Sequence, residues 1–283
     1  MKYEVFDAHC DTLCLLRDKG QSILKNDFHV DSERMKAYNK YTQVFACWIE
    51  PVYKSCALKR CLEIIDTFYE QNIDGILSIE DAVMIESLPI LRNLNKLGVR
   101  IIALTWNYKN QLACGVLDEG GVSDFGRSVI EEMNRLGIFL DVSHLNDRSF
   151  YEATAISNLP ILATHSNSRT VCQNPRNLTD DMFEIIKKSG GVAGINLYPP
   201  FLGENADIDT VVCHIEHFMG LGGEDNIGIG ADFDGVSGRL PKGILGCEDL
   251  YKIFDRLLAL NYSEEQVQKI SHKNFCRLFE ERN

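Results

Sequence analysis

The 283-residue chain has no basic run, no Cys-x-x-Cys pair and no apolar stretch approaching a membrane span. Each absence excludes a class of function. Lys and Arg number 29 against 41 Asp and Glu, a formal charge of −12. Such a chain is a poor electrostatic match for nucleic acid or an anionic membrane. A transmembrane helix needs about 18 consecutive apolar residues, and no stretch comes near that. Without Cys-x-x-Cys spacing, the ten cysteines make no thiolate zinc knuckle or thioredoxin motif. They are expected to be reduced, mostly as packing residues. The opening MKYEVFDAHCDTL is not a basic-then-apolar signal, which with the reduced thiols predicts a cytoplasmic protein.

Proline is also scarce, at 7 residues, and no Pro/Gly/Ser-rich linker interrupts the chain. One folded unit over residues 1–283 is therefore expected, which α/β barrels of about 250 residues allow. No strand-like run is followed by a G-x-G-x-x-G turn, because Gly228 and Gly230 have the wrong spacing. There is no G-x-S-x-G elbow, and Ser143 and His144 are adjacent, so on a strand they face opposite ways. Cys10 has no evident His-Asn partner for cysteine catalysis.

What the chain has is a rhythm of short β-rich runs, polar turns and helical spacing. The β runs are residues 3–7, 43–49, 75–79, 101–105, 138–142, 161–164, 192–197 and 227–231. They are apolar almost throughout, as parallel strands covered on both faces should be. Helical spacing follows over 57–69, 123–136, 149–157, 179–188, 210–219, 248–260 and 263–282, the last opening Ser-x-x-Gln like a capping box. Eight alternating units predict a (β/α)8 TIM barrel, with a doubly wound open sheet as the alternative.

Barrel enzymes keep their active sites at the C-terminal strand ends. Five of the eight runs finish there with metal-ligand side chains: Asp7-Ala8-His9-Cys10-Asp11, Ser78-Ile79-Glu80-Asp81, Asp141-Val142-Ser143-His144, Thr164-His165 and Ala231-Asp232-Phe233-Asp234. His9 and Asp11, two apart, can reach a common ion. Imidazole with carboxylate is the ligand set of a catalytic zinc site. His29, His214, His217 and His272 fall in loops or helices and read as structural histidines.

In order and spacing, DAHCDTL, HVDSERM, QVFACWI, SIEDA, LTWN, GVSDFG, DVSHL, ATHSNSR, NPRNLTDD, GIGADFDGV and KNFCRLFE resemble the membrane (renal) dipeptidase family. These are zinc dipeptidases of the amidohydrolase-type barrel superfamily. The resemblance implies two zinc ions, one held at positions matching His9 and Asp11, the other at those matching His144 and His165. Glu80 matches the carboxylate bridging both, Asp232 the proton-handling group, and Arg176 the holder of the substrate carboxylate. It further implies dipeptide substrates, including those with a C-terminal D-residue, and a homodimer.

Two departures stand out. The chain is shorter than the mammalian members, and their secretion and lipid-anchor signals, with the membrane attachment these confer, are not expected here. Where the mammalian pattern at strand four reads Leu-Thr-His, this chain reads Leu104-Thr105-Trp106-Asn107. Trp106 is expected at the barrel mouth, with Thr105 and Asn107 facing away, and it cannot become cationic to stabilise an oxyanion. N-acyl amino acid deacylation in the same site is one rival reading. A metal-bound binding protein whose catalysis has decayed is another.

Overall fold

The structure, a computed structural model, describes residues 3–236 and 240–280. Among them, eight parallel strands close into a barrel in sequence order. They are β1 (Glu4–Cys10), β2 (Lys40–Trp48), β3 (Ile76–Glu80), β4 (Val99–Ala103), β5 (Phe139–Asp141), β6 (Leu162–Ala163), β7 (Val192–Ile195) and β8 (Ile227–Ile229). The predicted (β/α)8 architecture is the observed one, and the open sheet is excluded because β1 pairs β8 through Asp7 and Ile229.

Several strands stop short of their apolar runs at the C-terminal end, and two buried carboxylates explain where the ladder goes. Asp7 accepts Ala231 N–H at 2.8 Å. Asp141 accepts Ser143 N–H at 2.9 Å and Thr164 N–H at 3.0 Å through one oxygen. Side-chain acceptors thus replace ladder carbonyls, and the freed backbone can turn its side chains toward the barrel axis.

Helices start where capping chemistry predicts. Ser123 caps Asp124–Leu136 and Thr179 caps Asp180–Lys188 through their side-chain oxygens. Ser263 and Gln266 form the expected capping box. The helix expected from Ser149 instead starts at Asp147, because Asn146 is the cap and accepts Ser149 N–H at 2.7 Å. Two crossover helices had no sequence prediction: Thr12–Lys19 and Leu88–Lys96.

The expected helix over 263–282 is broken, and its last residues lie outside those described. A π-helical turn, Lys269–Lys273, separates Glu264–Gln268 from Asn274–Glu280. The wide turn rotates the following side chains, placing Phe275 and Phe279 under the barrel against Phe6 at 5.3 and 5.5 Å between ring centroids. Gly228 of β8 makes room for this plug, since a Cβ there would sit 2.4 Å from the Phe275 ring. The barrel is therefore sealed below and open above. Among the described residues, no helix is long and apolar enough to cross a membrane.

Candidate metal centre

The predicted ligands converge at the open end. His9 is the penultimate residue of β1, and Asp11 follows it as the N-cap position of Thr12–Lys19. Glu80 ends β3. His144, Asp232 and Asp234, just past β5 and β8, have left-handed backbone conformations with φ of 70°, 60° and 67°. Non-glycine residues rarely adopt that conformation, and its clustering here marks a strained, functional strand end.

Glu80 sits between two imidazoles. One oxygen lies 3.0 Å from His9 Nε2, the other 2.8 Å from His144 Nε2. His144 Nε2 is 2.9 Å from His165 Nε2. On the other side, His9 Nε2 is 3.5 Å from Asp11 and 3.9 Å from Asp232. Ligand atoms of His9, Glu80 and His165 form one group within 4.8 Å, and those of His9, Asp11 and Asp232 another. Asn196 Nδ2 donates to Asp232 Oδ2 at 2.9 Å, which orients the carboxyl and leaves Oδ1 on the His9 side.

The donor set fits divalent cations. Asp11 Oδ1 is buried without a hydrogen-bond partner, and His9 Nε2, although 3.0 Å from Glu80, makes no aligned hydrogen bond, a costly arrangement that a bound cation would relieve. Burial, with the Arg176 charge second, takes His144 down to about 4. Burial and the His9 charge hold His165 well below the ordinary imidazole value. Both rings are thus neutral, the form that binds metal. Burial pushes Asp11 up to about 6, with Glu80's charge adding. Burial also pushes Asp232 up to about 7, His9 pulling against it and Asp11 and Glu80 adding to it. Glu80 shifts the other way: burial would raise it, but His9 beside it holds it below the ordinary carboxylate range. Three carboxylates withdrawn from water repel one another, and a cation relieves that repulsion.

Gly235 keeps the approach clear: a Cβ there would meet Asp11 Oδ2 at 2.3 Å and Asp232 Oδ1 at 2.4 Å. Above the centre lies a cavity of about 790 Å³ whose lining includes Asp11, Glu80, His144, Asp232 and Trp106. His9, His165 and Arg176 are buried and do not line it. Arg176 donates to Ser166 Oγ at 2.9 Å, while its Nε and Nη2 have no partner.

Strand four requires a correction. β4 ends at Ala103, so strand alternation no longer governs Trp106 and Asn107. Both line the cavity, and Asn107 Oδ1 lies 2.8 Å from His144 Nδ1. Trp106 packs against Trp48 and Tyr108 at 5.4 and 5.7 Å. His29, set aside as structural, also lines the cavity: its Nδ1 accepts Asp234 N–H at 3.0 Å, and Asp234 accepts His29 N–H at 2.9 Å. Nothing local in the HVDSERM segment signals that contact.

A family model described as membrane dipeptidase, peptidase family M19, matches residues 57–283. The chain belongs to this family. An uncharacterized dipeptidase of Schizosaccharomyces pombe is 29% identical over 98% of this chain and 80% of its own length. Human Dipeptidase 3 is 30% identical over 82% of this chain, which spans about half, 50%, of the human protein. Among solved structures, dipeptidase AC, a metallopeptidase of family M19, superposes with a TM-score of 0.92 at 26% identity, covering 99% of this chain and 98% of that one. A Rhodobacter sphaeroides metallopeptidase bound to a phosphinate mimic of L-Ala-D-Ala gives 0.88 at 25% identity, covering 99% of each chain. The protein is thus a metallopeptidase of the dipeptidase class. His9 and Asp11 precede the residues matched by the family model, and they join the cluster through the fold.

Proposed function

We propose that the protein hydrolyses dipeptides with two zinc ions, one held by His9, Asp11 and Glu80, the other by Glu80, His144 and His165. The observation that carries this reading is Glu80, whose two oxygens address two different imidazoles, His9 and His144. Bound zinc supplies a water acidified toward neutral pH and a Lewis acid for the scissile carbonyl, a role the strand-four Trp106 cannot fill by protonation. The chain's own groups do the rest. Asp232, held by Asn196, takes a proton from the attacking water and returns it to the leaving amine. Arg176, with two unpartnered donors, pairs with the substrate's C-terminal carboxylate, for which a guanidinium fork is suited. Dipeptides with a C-terminal D-residue belong to the proposed range, supported by the L-Ala-D-Ala mimic bound to the Rhodobacter sphaeroides relative.

The test pairs elemental analysis with dipeptides and their C-terminal amides. Two zinc ions per chain and cleavage confined to free carboxylates are expected. Arg176→Ala should cost about 1.5–3 kcal/mol in kcat/KM, the range for charge-assisted bonds. A single ion after zinc reconstitution, or equal cleavage of dipeptide and amide, refutes the corresponding part.

A further inference from the structure

Thr164 and Asp141 have no place in the proposed mechanism, yet they form a buried chain behind His165. Thr164 is fully buried and Asp141 is 2% exposed. Thr164 Oγ1 lies 2.5 Å from Asp141 Oδ2 and 2.8 Å from His165 Nδ1. The direction of these bonds follows from counting protons. As a carboxylate Asp141 is acceptor-only: Oδ1 takes two backbone N–H groups, from Ser143 and Thr164, and Oδ2 accepts from Thr164 Oγ1. A hydroxyl has one proton, and Thr164 must give it to Asp141. The hydroxyl can then only accept from His165, which requires the ring proton on Nδ1. Nε2 is left with its lone pair, pointing toward Glu80 and His144.

We infer that Asp141 and Thr164 are positioning residues that lock His165 in the tautomer and orientation needed to bind a metal through Nε2. This rests on the reading of His165 as a metal ligand. Partners at the far nitrogen of a ligating histidine typically govern metal affinity in this way. The chain here is longer by one hydroxyl than a direct carboxylate–histidine pair, and that hydroxyl makes the direction switchable. In Asp141→Asn, Oδ1 keeps its two backbone bonds, and the amide NH2 faces Thr164. The amide then donates to Thr164 Oγ1, the hydroxyl turns its proton toward His165 Nδ1, and Nε2 becomes the protonated nitrogen. A nearly isosteric change is thereby expected to impose the wrong tautomer, as replacement of the aspartate does in a serine-protease triad.

The test measures zinc affinity by chelator competition, and the ring tautomer by histidine 15N NMR on metal-free protein. Thr164→Val should weaken one of the two zinc ions by about 10–100-fold and leave the other unchanged. Asp141→Asn should weaken the same ion more and move the ring proton from Nδ1 to Nε2. Thr164→Ser, which restores the hydroxyl, should restore affinity. If Asp141→Asn does not fold, the Val and Ser variants decide alone. Wild-type affinity for both ions in Thr164→Val overturns the inference, provided His165→Ala loses one ion. If His165→Ala retains both ions, the reading of His165 as ligand fails, and the inference with it.

Discussion

Gly235→Ala is a one-methyl change whose effect can be worked out from the site. The added Cβ would lie 2.3 Å from Asp11 Oδ2 and 2.4 Å from Asp232 Oδ1. An ordinary carbon–oxygen contact needs roughly 1 Å more, so one or both carboxyls must move by that amount. Asp232 is tethered by Asn196 and Asp11 is buried, so the displacement falls on the carboxyls proposed to move the proton and to hold the metal. A misplacement of about 1 Å typically costs on the order of 10²-fold in rate. Gly235 is not among the positive-φ glycines, so alanine imposes no backbone penalty and the protein should fold normally. Gly20→Ala is the control. Its φ is 63° and nothing lies within 4 Å of its Cβ, so it should lose about 1 kcal/mol of stability and no activity. The assay is steady-state dipeptide hydrolysis with zinc content and thermal melting on both variants. Full kcat/KM and zinc content in folded Gly235→Ala refutes the claim that these carboxyls must stay where they are.

Trp106→His tests whether strand four limits the reaction. Packing of Trp106 against Trp48 and Tyr108 predicts a higher KM and unchanged kcat, whereas a tenfold rise in kcat would show that a missing imidazole was limiting. His214 is buried, its Nδ1 accepting Ser168 N–H at 3.1 Å and its Nε2 bonded to Leu202 O at 3.0 Å, and burial takes it down to about 4. The unfolded chain gains this proton below about pH 6.5 and the folded protein only near 4, so its contribution falls across that interval by on the order of 3 kcal/mol. Urea titrations of wild type and His214→Gln from pH 7.5 to 4.5 should show a gap that narrows with acid; a constant gap contradicts the assignment. Phe275→Ala, which empties the barrel plug, should cost about 3–5 kcal/mol in stability with zinc content unchanged, read by calorimetry and elemental analysis.

The barrel was legible in the chain because it depends on local pattern, and so was the gathering of the candidate site residues at its open end. Apolar runs with crossover spacing specify parallel strands, and the proposed ligands of four strand ends lie just past those runs: His9, Glu80, His144 and His165. Even Asp232, past a strand only three residues long, could be placed by counting from its run. Tertiary structure decided what depends on where the ladder stops. Because Asp7 and Asp141 take over backbone hydrogen bonds at the strand ends, alternation fails there. β4 likewise ends at Ala103, so Asn107 turns to His144 against expectation, and the loop residue His29 meets Asp234 from 205 residues away in sequence. The direction of the Thr164 hydroxyl bond belongs to the same class. No spacing rule encodes it, since it follows from how many acceptors surround one proton once the chain has folded.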